Sequence, residues 1–458
     1  MDFTNQQTIQ EIKLYNLFEK LTDRTTAAFL SECLGRKLTQ AQVEERQQMF
    51  KKLEDPATYE AYKERYGHLC KMKKEYDIYV DKDNPMYRAL IFFQMLNEYY
   101  YFTEDEQMKK DIESVRQLYA VKKFFRCHMF SKYDNQRYSV DMVVTDQAYE
   151  DPLQQLFDYL ELFEEQHTET YRIYGSLYDM VSSTDAKPYM EIENFYIKYK
   201  DSVVPEIEEV LKEIPGLRFY LDMKRFYQGL EQRNIPYSLA TFTDEKEIHV
   251  KGARDITLIT SDVENIICND FYFNGEKRFW FITGANGGGK TSFLRSVGLC
   301  MLLGSQGCYM PAASGCLSRL GRLVTFFPME EDLEKGRFNA EKERLSAMLA
   351  EAEADTMILM NEVFTSTDEE KAMRESQVVL QQILDMGSFG VFVTHNFPLI
   401  QSMEDKMPVL EAITEGDEHH RLFKIVEKKQ GGQSFATDVL RKYGLDTESL
   451  RKKYGEAI

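Results

Sequence analysis

The first half of the chain shows the spacing of apolar residues that is typical of α-helices. Over residues 1–245, glycines are few and apolar positions recur three and four residues apart. In "PLQQLFDYLELFEEQ" these positions form one broad stripe, made of Leu153, Leu156, Phe157, Leu160, Leu162 and Phe163. We therefore predict a predominantly helical region over 1–245, with a break between two helices at Ile214-Pro215-Gly216.

The pattern changes after residue 246, where short apolar runs alternate with helical segments. "FYFNGEKRFWFIT" is typical of two strands joined by a turn at Asn274-Gly275. Further strands are predicted at 322–327, 356–360, 390–394 and 421–426, and helices after Gly289, around 338–354 and at 368–386. This alternation predicts an α/β domain over 246–430.

A glycine-rich segment follows one of these strands and precedes a predicted helix. "GANGGGKT" matches the pattern G-x-x-x-x-G-K-[ST] through Gly284, Gly289, Lys290 and Thr291. Backbone N–H groups can surround a phosphate chain only where no Cβ intrudes and positive φ is allowed. The helix directs its positive end to the same place, the lysine adds a full charge, and the threonine hydroxyl is placed to bind Mg²⁺. The segment therefore predicts a binding loop for a nucleoside triphosphate.

Two other predicted strands end in polar residues that suit phosphoryl transfer. "TMILMNE" ends in Asn361 and Glu362, where such sites usually place one acid for the metal's water shell and a second for the attacking water. Because Asn361 carries no charge, Glu362 is the candidate general base. "GVFVTHN" ends at His395, whose imidazole is a candidate sensor of the γ-phosphate, although a lone histidine at a strand end is often incidental.

Composition restricts the class of protein. Hydrophobic residues make up 43% of the chain and charged residues 29%, as in ordinary globular proteins. No run approaches the roughly 18 apolar residues of a membrane span, and the N-terminus lacks the pattern of a secretory leader. We expect a cytoplasmic protein with no membrane contact. The seven cysteines form no C-x-x-C pair and predict reduced thiols rather than a zinc site or a disulfide framework.

The net charge of −19 argues against binding nucleic acid through the overall field, so any DNA contact must come from a local basic face. One stretch of the helical region has basic and aromatic residues interleaved. It consists of Lys122, Lys123, Arg126, Lys132 and Arg137 with Phe124, Phe125 and Tyr133. This stretch is a candidate for phosphate contacts and equally an ordinary solvated helix face.

These segments, in this order, resemble the ATPase domain of the MutS family of DNA mismatch-repair proteins. The family's loop reads close to "TGPNMGGKST", and the sequence here is "TGANGGGKTS" at 283–292. "GCYMPA" (307–312) is similar to the family's glycine-aromatic turn, and Asn269-Asp270 is similar to its pair near the nucleotide base. A "DL-x-x-G-R" match runs from Asp332 to Arg337, and "VTHN" (393–396) stands at the position of the family's histidine.

The resemblance implies a domain order for the whole chain. A helical core and lever region would cover 1–245, and an ABC-type P-loop ATPase domain would cover 246–430. The segment 431–458 would be a C-terminal helix-turn-helix that pairs two subunits, and its helical spacing is indeed interrupted at Tyr443-Gly444. The expected assembly is therefore a homodimer.

The resemblance also implies ATP and Mg²⁺ as cofactors, with roles for particular residues. Lys290, Glu362 and His395 would be catalytic, and Thr291 and Asn361 would hold the metal. The residues expected to bind ATP are Asn269 and the whole loop, Gly284, Ala285, Asn286, Gly287, Gly288, Gly289, Lys290, Thr291 and Ser292.

The chain departs from the family's pattern in several places. A serine-threonine pair that reaches the partner's nucleotide is absent before Phe338, so Arg337 or Asn339 would have to replace it. "NEVFTST" (361–367) is shorter than the family's acidic loop and puts Asp368 six residues after Glu362, as in transporter-type ABC ATPases. No counterpart of the mismatch-reading N-terminal domain is recognised.

The leading hypothesis is a MutS-like ATPase. Slow hydrolysis at composite dimer sites would open and close helical arms on DNA, in repair or recombination-type processes. The alternative, favoured by the acidic composition, is an ATP-driven switch that acts on a protein partner without DNA. A third possibility, suggested by Asn361, is a nucleotide-binding protein with little turnover.

Overall fold

A computed structural model describes residues 2–81, 85–119, 124–131, 137–143, 171–173, 187–263, 265–327, 337–364, 367–414 and 421–428. The contacts divide the chain into two compact units. One comprises Met1–Lys51 with Asp222–Ile458, and the other comprises Lys52–Leu221. The domain boundary at residue 245 stays a prediction. The contacts divide the chain after Lys51 and again after Leu221.

The α-helices, in chain order, are α1 (Gln6–Glu11), α2 (Leu14–Leu21), α3 (Arg24–Gly35), α4 (Gln40–Lys52), α5 (Pro56–Asp81), α6 (Pro85–Tyr99), α7 (Glu106–Tyr119), α8 (Lys187–Leu211), α9 (Ile214–Glu231), α10 (Lys290–Ser305), α11 (Arg337–Glu351), α12 (Glu369–Met386) and α13 (Phe397–Met403). A 3₁₀ helix covers Ile256–Ser261. The interruption between α8 and α9 confirms the predicted break at Ile214-Pro215-Gly216. Within the described ranges, every helix is too short or too polar to span a lipid bilayer.

The strands are β1 (Phe124–Ser131), β2 (Arg137–Val143), β3 (Tyr171–Ile173), β4 (Ser238–Leu239), β5 (Thr241–Thr243), β6 (Ile248–Ala253), β7 (Asn269–Phe273), β8 (Phe279–Gly284), β9 (Tyr309–Met310), β10 (Ser314–Ser318), β11 (Arg322–Phe326), β12 (Thr356–Asn361), β13 (Phe389–Val393), β14 (Val409–Thr414) and β15 (Arg421–Glu427). The strands predicted at 322–327, 356–360, 390–394 and 421–426 are confirmed as β11, β12, β13 and β15. The predicted helices after Gly289, around 338–354 and at 368–386 are confirmed as α10, α11 and α12.

The unit Lys52–Leu221 is built mainly from α5, α6, α7 and α8. Their apolar faces meet in a core that includes Leu69, Met72, Phe92, Leu96 and Ile207. Tyrosines at the edge of this core donate hydrogen bonds to carboxylates, in the pairs Tyr76–Glu208, Tyr99–Glu206 and Tyr199–Asp111. The helical pattern predicted from the sequence therefore holds for these parts of the unit.

The same unit contains strands that the sequence analysis did not predict. β1 pairs with β2 and β3 in an antiparallel sheet of order β2-β1-β3. The basic and aromatic stretch falls on this sheet, because Arg126 lies in β1 and Arg137 in β2, so its interpretation as a helix face is wrong. Lys122, Lys123, Lys132 and Tyr133 lie outside the described residues, as does the predicted stripe over 153–163.

The other unit is organised by a six-stranded sheet of order β11-β12-β13-β8-β14-β15. The first five strands are parallel and β15 is antiparallel to β14. β12 and β13 are buried at every residue, as is β8 apart from its last, since helices cover both faces. Parallel strands bring their carboxyl ends to one edge, so the ends of β8, β12 and β13 lie together there.

A smaller sheet of order β5-β10-β6-β7 accompanies the main one. Both strands predicted around the Asn274-Gly275 turn are present as β7 and β8. They lie in different sheets, since β7 pairs with β6 and β8 pairs with β13 and β14. The Asn274 side chain accepts hydrogen bonds from the backbone N–H groups of Glu276 and Lys277, which turns the chain between the sheets.

The first helices of the chain pack against the six-stranded sheet. The backbone N–H of Leu323 in β11 donates to the Phe3 carbonyl at 2.9 Å, and Thr4 Oγ1 donates to the Leu323 carbonyl at 2.9 Å. Ile12 lies so close to α10 that a Cβ added at Gly298 would come within 2.9 Å of it. These contacts are the physical reason why residues 1–51 group with the sheet rather than with the helical unit.

Candidate functional site

The glycine-rich segment forms the turn between β8 and α10. Gly284 ends β8 with φ of +125°, and a Cβ added there would lie 3.0 Å from the Ala412 carbonyl oxygen. Gly289 is the N-cap of α10 with φ of +94°. Residues with a side chain rarely adopt these angles, so glycine is required at both positions. The first N–H groups of α10 have no intrahelical acceptor and lie at the positive end of the helix dipole.

Lys290 begins α10 and folds back over this turn. It is 5% exposed, and its Nζ donates to the carbonyl oxygens of Gly284 at 2.9 Å and Ala285 at 3.0 Å. Burial lowers the pKa of Lys290, while the charge of Glu362 acts in the opposite direction. Both of these hydrogen-bond acceptors are neutral. An anion bound at the turn would therefore meet an ammonium group whose charge these acceptors do not cancel.

A cleft of about 530 Å³ opens beside the turn. Its polar side combines Glu362 and Asn269 with most of the predicted loop residues, namely Asn286, Gly287, Gly289, Lys290, Thr291 and Ser292. Its other side is apolar and is formed by Leu258, Val263, Ile267, Phe293 and Phe423. The volume lies within the range of small-molecule sites, which is about 300–1,000 Å³. Ala285 and Gly288 complete the turn, where the Gly288 N–H donates to the Ala285 carbonyl.

Asn269 holds one wall of this cleft in place. Its Nδ2 donates to the Phe423 carbonyl at 3.1 Å, and its Oδ1 accepts from the Ile425 N–H at 2.9 Å. Both ends of the amide are thus bound to β15, the strand that carries Phe423 into the cleft. A direct contact between Asn269 and a nucleotide stays a prediction.

Glu362 and His395 form a pair at the carboxyl edge of the sheet. His395 Nε2 lies 3.3 Å from Glu362 Oε1. The hydrogen bond from His395 lowers the pKa of Glu362, the charges of His395 and Lys290 act in the same direction, and burial opposes them. Glu362 has φ of +52°, and its backbone N–H donates to the Val393 carbonyl at 2.9 Å. The carboxylate therefore stays ionised in a strained backbone conformation.

The Glu362–His395 pair also borders a second, smaller cavity of about 250 Å³. Its other lining residues include Phe364, Thr394 and Asn396. Glu362 lines both cavities and therefore lies between the glycine-rich turn and the end of β13.

Asn361 is a candidate contact for a metal. It is 9% exposed, and its Oδ1 is buried without a hydrogen-bond partner among the described residues. Within the same ranges, no group of three or more histidine, cysteine, aspartate or glutamate side chains is placed to hold a metal. An amide oxygen and the Thr291 hydroxyl are the hard donors that suit Mg²⁺, which usually takes its remaining ligands from phosphates and water. The residues present therefore fit a metal that enters with a nucleotide.

Several residues of the cleft were not found from the sequence. Asp255, Leu258 and Val263 come from the 3₁₀ helix and its ends, where apolar residues follow neither helical nor strand spacing. Asp255 is 2% exposed, accepts hydrogen bonds from the Thr257 N–H and hydroxyl, and lies 3.9 Å from Arg295. Burial raises the pKa of Asp255, while these partners oppose the rise.

Some predicted positions cannot be placed in this geometry. The match from Asp332 to Gly336 and the segment 431–458 lie outside the described residues. Arg337 begins α11 and Asn339 is exposed on it. A contact of either residue with a partner subunit's nucleotide stays a prediction.

Comparison with known families identifies the fold that carries this cleft. The family model MutS domain V matches residues 280–454. This part of the chain is therefore similar to MutS domain V, the ATPase domain of the MutS family. The matched residues include most of β8, the glycine-rich turn, Glu362 and His395.

A curated relative shows the same similarity. The DNA mismatch repair protein MutS of Thermotoga maritima is 25% identical over 265 residues. The match covers 56% of this chain and 32% of the relative, so the chain corresponds to about a third of that MutS protein's length.

Proposed function

We propose that this chain binds ATP with Mg²⁺ in the cleft beside the glycine-rich turn and hydrolyses it. The observation that carries the proposal is that Lys290, Thr291 and Glu362 line one cleft at the N-terminus of α10. The ATPase role of MutS domain V supports it at the level of the family.

The residues of the turn have complementary roles in this proposal. The N–H groups of Gly287 and of Gly289 to Ser292 bind the phosphate oxygens, and Lys290 exchanges its two carbonyl acceptors for the β- and γ-phosphates. Thr291 and Asn361 would hold Mg²⁺, which would neutralise charge that develops on the phosphates. The apolar wall around Phe423 receives the base.

Glu362 is the general base for the attacking water. Its lowered pKa keeps the carboxylate ionised at neutral pH, so it can accept a proton in the transition state. His395 orients this carboxylate at 3.3 Å, and its role as a sensor of the γ-phosphate is part of the proposal. The strained backbone at Glu362 keeps the carboxylate directed to the site.

The larger assembly is also a proposal. We infer a homodimer with composite nucleotide sites, in which ATP binding and hydrolysis open and close helical arms on DNA. MutS proteins act as dimers on DNA, which supports this at the level of the family. A cytoplasmic location stays a prediction.

Calorimetry with ATP and Mg²⁺ on the full chain tests the binding step. We expect saturable binding to the natural protein and a loss of at least tenfold in affinity for Lys290→Ala, because a charge-assisted contact to phosphate is removed. Absence of any binding heat on folded natural protein would refute the proposal.

Phosphate release tests the catalytic step. Glu362→Gln should reduce turnover by about 10²- to 10⁴-fold while ATP still binds, because the amide cannot accept the proton. Glu404→Gln, at an exposed position after α13, is the matched control and should keep full turnover. If Glu362→Gln retains natural turnover, the assignment of the base is wrong.

A second candidate function is an ATP-driven switch that acts on a protein partner without DNA. The observation that favours it is the net charge of −19, which opposes DNA binding outside local basic faces. If the chain acts on a protein partner, its ATP binding and turnover are the same as in the first proposal. The two proposals differ only in whether the chain binds DNA.

A further inference from the structure

A buried carboxylate connects the two sides of the nucleotide cleft. Asp255 precedes the 3₁₀ helix Ile256–Ser261, and this helix supplies Leu258 to the apolar side of the cleft. Toward α10, Asp255 Oδ2 lies 3.9 Å from Arg295 Nη1. Burial raises the pKa of Asp255, and the Ser292 hydroxyl is near enough to act in the opposite direction. The segment that carries the apolar wall is thus attached to the helix that begins at the glycine-rich turn.

This pair of charges is buried and incompletely satisfied. Asp255 is 2% exposed, and its Oδ2 accepts no hydrogen bond from any residue that the structure describes. In the same ranges, the buried Nε of Arg295 also has no partner. A buried charge with unmet hydrogen-bonding capacity costs free energy, and an apolar pair of similar volume would avoid this cost. The contribution of the pair to stability therefore does not account for its presence beside the cleft.

The pair lies where the direction of backbone N–H groups matters. The first N–H groups of α10 have no acceptor within the helix, and the N-cap residue Gly289 has no side chain that could hold this end in place. Contacts from outside the turn therefore contribute to the direction of these groups. Asp255 supplies such a contact at Arg295, which lies one helical turn after Thr291.

We propose that Asp255 is a positioning residue for the nucleotide site. Through Ser292 and Arg295, it fixes the direction in which the first turn of α10 presents its N–H groups to the phosphates. This role rests on the proposed function and adds to it a residue that holds the glycine-rich turn from outside. Because these N–H groups meet the phosphates in the bound substrate and in the transition state alike, loss of Asp255 should weaken binding and leave the chemical step nearly unchanged.

Steady-state turnover of ATP with Mg²⁺ measures the two effects separately. Asp255→Asn keeps the shape of the side chain and removes its charge. We expect KM for ATP to rise by roughly tenfold or more, while kcat changes by less than about twofold. Asp262→Asn is the matched control, because Asp262 follows the same 3₁₀ helix and its side chain is 86% exposed. A merely structural role of Asp255 would lower the active fraction, and so kcat, at an unchanged KM.

Removal of one charge leaves the other buried and unpaired, which by itself can unfold a variant. The double variant Asp255→Asn/Arg295→Met removes both charges. It should recover the melting temperature of the natural protein while KM stays raised, and its KM should be no higher than that of either single variant, because the two residues act as one unit. A natural KM in the folded double variant overturns the proposal.

Hydrogen exchange without nucleotide gives a measurement that does not depend on ATP. The peptide that covers the first turn of α10 should exchange faster in the double variant than in natural protein or in Asp262→Asn, because this turn loses a contact that holds it. Equal exchange in the three proteins overturns the proposal. If natural protein neither binds nor hydrolyses ATP, the proposed function fails, and the exchange experiment still decides whether Asp255 holds the first turn of α10.

Discussion

At the scale of single residues, the end of β12 combines a neutral amide with an ionised carboxylate. Within the part of the chain that the structure describes, the buried Oδ1 of Asn361 has no hydrogen-bond partner, and the pKa of Glu362 is lowered by the hydrogen bond from His395. An acid at position 361 would place a second negative charge beside Glu362. In the proposed function, the neutral amide attracts Mg²⁺ less strongly than a carboxylate would, so the nucleotide would hold the metal chiefly.

Asn361→Asp tests this interpretation. The added carboxylate should lower the Mg²⁺ concentration needed for half-maximal ATP turnover, on the order of tenfold, because it attracts the cation. Turnover at saturating Mg²⁺ should be unchanged or higher. The Mg²⁺ dependence of phosphate release measures both, and a collapse of ATP binding would mean that the amide has a role of its own.

The Glu362–His395 pair predicts a particular pH dependence. The base form of Glu362 is present above its folded-state pKa, which lies below the ordinary value of 4.5, and is lost as pH falls through that pKa. His395→Ala removes the largest cause of the depression, so the acid limb of the turnover profile should move to higher pH. An acid limb at the same pH in both proteins would contradict the assignment of the pair.

Thiol reactivity provides a test of burial. Burial raises the pKa of Cys300, and it raises the pKa of Cys308 to about 11, whereas Cys70 is exposed. The thiolate is the reactive form, so a maleimide should modify Cys70 well before the other two. Peptide mass spectrometry after brief labelling measures this order, and early modification of Cys300 would show that α10 opens readily.

At the scale of elements, α1 is attached to the edge of the main sheet through Glu11. The carboxylate accepts hydrogen bonds from Thr325 Oγ1 at 2.6 Å, the Phe327 N–H at 3.1 Å and Arg344 Nη2 at 3.3 Å. Arg344 also donates to the Phe327 carbonyl and covers the Phe326 ring. One side chain therefore joins α1, β11 and α11.

Glu11→Ala should destabilise the protein by about 2 kcal/mol, because two buried donors and the partly buried Arg344 lose this acceptor. Thermal unfolding followed by circular dichroism measures the loss. Glu19→Ala, at an exposed position on α2, is the control and should leave the melting temperature nearly unchanged. Equal melting temperatures for the two variants would mean that the contacts of Glu11 contribute little.

The contrast between α10 and α1 explains how much the sequence could predict. Around Gly284 and Lys290, the strand, turn and helix follow one another in the chain, so local pattern and phosphate chemistry predict both the elements and the candidate site. The contact of Thr4 with Leu323 joins residues 319 positions apart, and no local spacing encodes it. The strands β1 and β2 were missed for a related reason, since their pairing depends on a partner strand.

The cleft residues Ile267 and Phe423 show the same limit at the site itself. Asn269 in β7 forms hydrogen bonds with the backbone of β15, and these bonds hold Phe423 beside the segment that contains Ile267. The sequence predicted the polar side of the cleft, because a glycine-rich turn followed by a lysine has a specific chemical rationale in phosphate binding. It could not identify the apolar side, which depends on packing between two sheets.

At the scale of the whole molecule, the acidic charge decides how DNA can be bound. A chain with net charge of −19 repels DNA except at local basic faces, so few phosphate contacts are expected. In the helical unit, the hydroxyls of Tyr76, Tyr99 and Tyr199 donate to carboxylates of the same unit. These hydroxyls therefore already form hydrogen bonds within the unit.

Retention on duplex and branched DNA at several salt concentrations tests the DNA hypothesis. Binding should weaken with a log–log slope of roughly −0.9 per phosphate contacted on duplex. The same measurement with ATP and with Lys290→Ala shows whether nucleotide binding controls retention. No retention even at low salt would favour the protein-partner function.

The attachment of α1 to β11 has a consequence for synthesis on the ribosome. The 170 residues from 52 to 221 separate the two parts of the unit, and at about 5–20 residues per second they take roughly 10–30 s to translate. During this delay Phe18, which is fully buried in the finished protein, lacks the Phe226 ring that packs edge-on against it at 4.9 Å. We therefore expect nascent chains to depend on a ribosome-associated chaperone until the second part emerges.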